Sequence, residues 1–93
     1  MVDVFLADAP ALIGSLRSSL ERQDTEELRR AAHTLKSNGS TLGAAAFAEL
    51  CRTVEQRAKD GRLDGVSKLV DGIEHEYRTV REALATVRSE PVS

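Results

Sequence analysis

Apolar residues recur at three- and four-residue steps along most of this chain, and only short polar or glycine-containing links interrupt the pattern. The last such stretch shows the spacing most clearly, with apolar residues at Leu63, Val66, Val70, Ile73, Tyr77, Val80, Leu84 and Val87. This spacing places one apolar stripe along each amphipathic helix. Because such a stripe must be buried against other helices, the chain is predicted to be all-α.

Four helices can be assigned in order along the sequence. The first covers residues 2–21, and the second follows the N-cap Asp24 and ends at residues 41–43, where Gly43 can adopt a left-handed conformation. The third covers residues 44–59 and the fourth residues 63–88. Links this short force neighbouring helices to run antiparallel, so we predict an up-down-up-down four-helix bundle.

Two details of this bundle are less regular. Pro10 lies inside the first helix, where it removes one hydrogen bond, so we expect either a kink near Ala9 or a new start with Asp8 as the N-cap. We expect residues 1–88 to form the bundle and residues 89–93 to form a disordered or frayed tail.

Composition narrows the class of protein. The net charge is −2 with scattered basic residues, which does not favour nucleic-acid binding. The single cysteine excludes an internal disulfide, and no signal peptide or long apolar run is present. We therefore expect a cytoplasmic chain without membrane contact, and a monomer because the four apolar stripes already satisfy one another. The apolar pattern already in phase at residue 2 slightly favours a piece of a longer polypeptide over a freestanding protein, although Met1 is equally compatible with a natural start.

The second helix carries the residues of chemical interest. Its apolar face consists of Leu28, Ala31, Ala32, Leu35, Gly39 and Leu42. His33 lies about 140° from Leu28 and so points away from that face. Lys36 and Ser37 follow one turn later, with Ser40 beyond them, so all of these side chains share one outward patch.

An exposed histidine on a helix is most often an ordinary surface residue, and His75 is an example, lying between Glu74 and Glu76 with no lysine one turn away. His33 differs because Lys36 could neutralise a phosphoryl group on the ring and Ser37 could donate a hydrogen bond to it. A neutral imidazole nitrogen is a competent nucleophile towards an activated phosphoryl group.

The run Ala32-His33-Thr34-Leu35-Lys36-Ser37, followed by Gly43-Ala44, Leu50-Cys51 and Val54-Glu55, resembles the histidine phosphotransfer (HPt) domain family. The first helix resembles the opening of that family as well. The resemblance implies that His33 is phosphorylated, that Lys36 is its charge partner, and that Ser37 stands where many members have glycine. Some members have glutamine at the position of Glu55, and whether this acid pairs with Lys36 stays open.

The resemblance also implies a function. His33 would relay a phosphoryl group between aspartates of response-regulator receiver domains, with receivers or a hybrid sensor histidine kinase as partners. The chain itself could be a cytoplasmic domain of a larger, membrane-bound hybrid kinase. The chain would be a carrier without its own ATP site, cofactor or metal, and the receiver would bring Mg²⁺. The expected docking residues, on the outward side of the second and third helices, are Arg29, Ser40, Gly43, Ala44, Ala45 and Ala48.

Three alternatives remain at this point. The dimerising domain of a sensor kinase usually has an acid directly after its histidine, whereas Thr34 follows His33 here. A helical bundle that only docks partners, without phosphorylation, is the main alternative. A metal site is the weakest, because no His, Cys, Asp or Glu lies three or four residues after His33.

Overall fold

The computed structural model describes the backbone of residues 2–89 and the side chains of residues 7–83. It contains four α-helices: α1 (Val2–Glu21), α2 (Thr25–Thr41), α3 (Ala45–Lys59) and α4 (Val66–Ser89). Each helix packs against its neighbours in sequence, and α4 closes the ring against α1. The predicted all-α four-helix bundle is thereby confirmed.

The start and end of α2 follow the local chemistry of the sequence. The Asp24 side chain accepts a hydrogen bond of 3.1 Å from the backbone N–H of Glu27, so one of the first free N–H groups of the helix is satisfied. After the last turn, Gly43 adopts a φ of +75° and the N–H of Ala44 donates to the carbonyl of Gly39 at 2.8 Å. This tight link brings α3 back directly alongside α2.

Pro10 does not divide the first helix. The structure has one continuous helix from Val2 to Glu21, so the alternative of a new start with Asp8 as the N-cap is wrong. Pro10 is exposed, and the carbonyl that loses its donor one turn earlier can therefore bond water instead.

The fourth helix begins at Val66 and not at Leu63 as predicted. Gly61 and Gly65 both have positive φ, +70° and +78°, and a residue with positive φ cannot belong to a right-handed helix. The third helix begins one residue later than predicted, since Ala44 is its N-cap, and ends at Lys59 as predicted. At the other end, Ser89 belongs to α4, and the rest of the predicted tail lies outside the described residues.

The predicted apolar stripes form the core. The fully or almost fully buried apolar side chains are Ala9, Ile13, Leu16, Leu28, Ala31, Ala32, Leu35, Phe47, Cys51, Val54, Ala58, Val66, Val70, Ile73 and Tyr77. Leu12, Leu20, Leu42, Leu50, Leu63 and Val80 pack at its edge. Predicted core positions 2, 5, 6, 84 and 87 lie outside the described side chains.

The contact between α2 and α3 is especially close. A Cβ atom added to Gly39 would lie only 2.6 Å from Cδ1 of the buried Phe47 ring. Glycine at this position therefore lets the backbone of α2 approach the Phe47 ring, and the helix that carries His33 is held tightly against α3.

None of the helices within residues 2–89 is long and apolar enough to span a membrane.

Candidate functional site

His33 lies on the outward side of α2, as the helical periodicity predicts. Its side chain is 56% exposed, whereas Ala32 and Leu35 beside it are fully buried. Ser37, one turn further along the helix, is also exposed. A molecule in solvent can therefore reach the imidazole ring without any rearrangement of the core.

A carboxylate from α3 joins His33 to Lys36. Oε2 of Glu55 lies 2.8 Å from Nδ1 of His33, and Nζ of Lys36 donates to Oε1 of the same carboxylate at 2.8 Å. The side chains of Glu55 and Lys36 are only 14% and 28% exposed. Lys36 is thus less exposed than predicted, because its stem crosses towards α3 to reach this acid.

This geometry decides which ring nitrogen of His33 can react. An ionised carboxylate can only accept hydrogen bonds, so Nδ1 must carry the proton in its contact with Glu55. In a neutral ring Nε2 then holds the lone pair. The unshared nitrogen, Nε2, is therefore the nucleophilic atom of the ring.

The charge on Glu55 is maintained by its neighbours. Burial raises the pKa of this carboxyl group, but the hydrogen bonds from Lys36 and His33 outweigh burial and hold the pKa below its usual value. Glu55 is consequently ionised at neutral pH, and its charge balances that of Lys36. With a neutral ring, the imidazole, the ammonium group and the carboxylate together carry no net charge.

The link between Glu55 and Lys36 was left open by the sequence, and the contact between Glu55 and His33 was not predicted. The position of Glu55 relative to the buried face of α3 could have suggested this contact. Cys51, Val54 and Ala58 point into the core, which places Glu55 at the flank of the helix, next to a neighbour. That the neighbour is α2 follows only from how the two helices pack.

The predicted docking residues lie along the outward side of α2 and α3. Ser40, Gly43 and Ala45 are exposed, and Ala44 and Ala48 are half-buried at the start of α3. Arg29 lies one turn before His33 and lines an open depression with Thr25, Glu26, Ala58 and Lys59. The structure brings together small side chains at one end of His33 and basic side chains at the other.

The other potentially reactive side chains of the described region lack the combination of exposure and contacts that His33 has. The thiol of Cys51 is buried, and burial raises its pKa to about 12, so it stays protonated at neutral pH. His75 is exposed on α4, and its ring has neither Glu55 nor Lys36 as a partner. Among the described side chains, those of residues 7–83, no cluster of three or more His, Cys, Asp or Glu could hold a metal ion.

Comparison with known proteins gives a consistent set of similarities. The family model described as "Hpt domain" matches residues 1–90. Over 87 residues the chain is 24% identical to histidine-containing phosphotransfer protein 5 of Arabidopsis thaliana, covering 90% of this chain and 55% of the plant protein. Over 54 residues it is 37% identical to the sensor protein TorS of Escherichia coli, covering 58% of this chain and 6% of TorS. The chain thus spans about half the length of the plant relative and a small part of TorS. No solved structure matches the chain significantly.

Proposed function

The chain belongs to the Hpt domain family, and we propose that it carries a phosphoryl group on Nε2 of His33 between aspartates of receiver domains. The observation that supports this proposal most directly is the exposed ring of His33, held at Nδ1 by Glu55 and flanked by Lys36. One nitrogen is fixed by the fold and the other is directed towards a visiting partner.

Each of the three side chains has a separate part in the proposed reaction. His33 is the nucleophile, and Glu55 is a positioning residue that selects the tautomer and orients the ring. Lys36 provides a positive charge that can turn from Glu55 to the oxygens of the incoming phosphoryl group. Ser37 is small and exposed, so it leaves room beside the ring and can donate a hydrogen bond.

The domain acts in this proposal as a carrier and not as a kinase. Transfer of a phosphoryl group requires in-line positioning and neutralisation of charge, usually with a divalent ion. The receiver supplies its phosphorylated aspartate and its Mg²⁺, while this chain supplies the histidine and Lys36. No ATP-binding step belongs to this chain.

The partner docks on the outward side of α2 and α3. The exposed residues Ser40, Gly43 and Ala45 allow close approach of a second protein surface, and Arg29 offers a charge at the other end. The two relatives are named a phosphotransfer protein and a sensor protein. These names support a partner from a two-component pathway, either a response regulator or a hybrid sensor kinase.

The test is transfer of radiolabelled phosphate from a panel of purified receiver domains, each phosphorylated on its aspartate. Label should move to this chain and should be stable in alkali but lost in acid, as is typical of phosphohistidine. His33→Gln should abolish the label. His75→Gln, which changes the other exposed histidine, is the matched control and should keep it.

Label that persists in His33→Gln, or that is lost in His75→Gln, would contradict the assignment. If no receiver of the panel transfers label although the protein is folded, the chain is instead a helical module that docks partners without phosphorylation.

A further inference from the structure

The hydrogen bond between Glu55 and His33 has a consequence for the phosphorylated protein. Oε2 of Glu55 lies 2.8 Å from Nδ1, and the carboxylate has no proton to donate. An amide side chain at this position could either donate to Nδ1 or accept from it. Glu55 can keep its hydrogen bond only while Nδ1 carries a proton.

A phosphorylated ring has this proton in only one of its two forms. Once Nε2 is bonded to phosphorus, a neutral ring has a bare lone pair at Nδ1. Only the cationic ring has an N–H there. The contact with Glu55 therefore survives phosphorylation if the ring is a phosphoimidazolium cation, and becomes a repulsion between two acceptors if it is neutral.

We propose that Glu55 keeps Nδ1 of His33 protonated while the phosphoryl group is carried, so that the group is stored on a cationic ring. This inference rests on the proposed function, because it requires phosphorylation at Nε2. It assigns Glu55 a second role, which is to hold the carrier in the form from which the phosphoryl group leaves most easily.

Transfer then needs no proton exchange in either direction. In the forward step the lone pair of Nε2 attacks phosphorus, an N–P bond forms, and the P–O bond to the donor aspartate breaks with its electron pair on the carboxylate oxygen. In the return step an acceptor carboxylate oxygen attacks phosphorus, and the N–P electron pair returns to Nε2. The proton on Nδ1 stays in place throughout, and the ring alternates between neutral and cationic.

The charged groups around the ring are consistent with a proton that stays on Nδ1 of the phosphorylated ring. On α2, Lys36 opposes a second positive charge, but its ammonium group is bonded to the other oxygen of Glu55. On α3, Arg52 is paired with Glu49 on its own helix. On α1, Arg17 forms ion pairs with Asp71 and Glu74 of α4.

Also on α2, Arg30 is paired with Glu26 and Glu27. Two further basic residues are Arg29, one turn before His33, and Lys59, one turn after Glu55. Both would disfavour a cationic ring, whereas the dianionic phosphoryl group bonded to the ring favours it. Glu55 is the anionic side chain that contacts the ring directly. Removal of the Glu55 carboxylate should therefore lower the pH at which the phosphorylated ring loses its proton from Nδ1.

The experiment follows the phosphorylated ring by nuclear magnetic resonance. The full chain, labelled with ¹⁵N-histidine, is phosphorylated with phosphoramidate, which transfers its phosphoryl group to Nε2 and releases ammonia. The chemical shift of Nδ1 is then followed from pH 6 to 10. The midpoint at which Nδ1 loses its proton should lie about one pH unit or more higher in the native protein than in Glu55→Gln.

Two further measurements complete the test. At a pH above both midpoints, phosphohistidine should be lost about tenfold faster from the native protein than from Glu55→Gln, since about ten times more of the ring is protonated. The ring signals of His75 are recorded in the same spectra and should be unchanged by Glu55→Gln. Glu55→Asp retains a carboxylate and should lie between the two proteins, and the amide spectrum reports whether each variant is folded.

Equal midpoints in the native protein and Glu55→Gln would overturn the inference, as would a phosphorylated native protein without a proton on Nδ1 at pH 7. The native protein alone decides the second outcome, so a poorly folded variant does not affect it. Absence of phosphate on Nε2 of His33, with phosphate elsewhere, would instead refute the proposed function itself.

Discussion

Replacement of Gly39 by alanine should destabilise the bundle, although alanine is the better helix former. The gain in helix propensity is about 1 kcal/mol at most. Against it, the new Cβ would lie 2.6 Å from Cδ1 of Phe47 and 3.3 Å from Cε1, well inside the distances of ordinary contacts. The Phe47 ring is 1% exposed and cannot move into solvent, so α2 and α3 must separate slightly. Overpacking of this kind costs about 1–3 kcal/mol, so we expect a net loss of up to about 2 kcal/mol.

The matched control is Gly14→Ala. Gly14 lies inside α1, is exposed, and has no atom within 4 Å of the position of an added Cβ. This variant should therefore gain up to about 1 kcal/mol from propensity alone. The free energies of unfolding of both variants can be measured in urea. If Gly39→Ala is as stable as Gly14→Ala, the close approach of α2 to Phe47 does not limit the packing, and the reasoning fails.

Four further variants or conditions probe the core and the site. Leu35→Ala should cost about 2–5 kcal/mol in urea unfolding, since Leu35 is fully buried, and a loss below 1 kcal/mol would contradict its place in the core. Lys36→Ala should slow transfer from a phosphorylated receiver. It should lower stability by only about 1 kcal/mol, because it removes one partly exposed ion pair, and a loss as large as that of Leu35→Ala would refute this placement of Lys36. The pKa of Glu55 is below its usual 4.5, so the stability that its carboxylate contributes should be present above pH 4.5 and vanish as the pH falls through the lowered pKa. The difference in unfolding free energy between the native protein and Glu55→Gln should therefore shrink at pH 3. Cys51 should resist a thiol reagent at pH 8 in the folded protein and react in urea, since burial raises its pKa to about 12.

The features that the sequence predicts well are those that depend on one helix at a time. The apolar face of α2 and the outward position of His33 follow from a period of 3.6 residues, and Asp24 and Gly43 mark the ends of the helix by local chemistry. The start of α4 was predicted three residues too early for a related reason. Leu63 fits the apolar period, but the positive φ of Gly65 prevents the helix from including it.

The contacts of the site depend on two helices and are harder to predict. Glu55 lies 22 residues after His33, and the periodicity of α3 alone places it only at the flank of that helix. Whether it reaches His33 depends on the rotation and distance of α3 relative to α2. These are set by details such as the contact between Gly39 and the Phe47 ring. The family resemblance directed attention to Glu55 but left its partner open.

The shared carboxylate also explains how the site can accept charge. When the ring is neutral, the resting site carries no net charge, since Glu55 offsets Lys36. In the proposed phosphorylated form, a dianionic phosphoryl group on a cationic ring would leave one net negative charge there, and Lys36 could then bond either the phosphoryl group or Glu55. If Lys36 turns to the phosphoryl group, Glu55 is left with the ring alone, and its hydrogen bond to Nδ1 should strengthen. The effects of Lys36→Ala and Glu55→Gln on transfer should therefore not be additive. A double variant whose rate equals the product of the two single effects would show that the residues act independently.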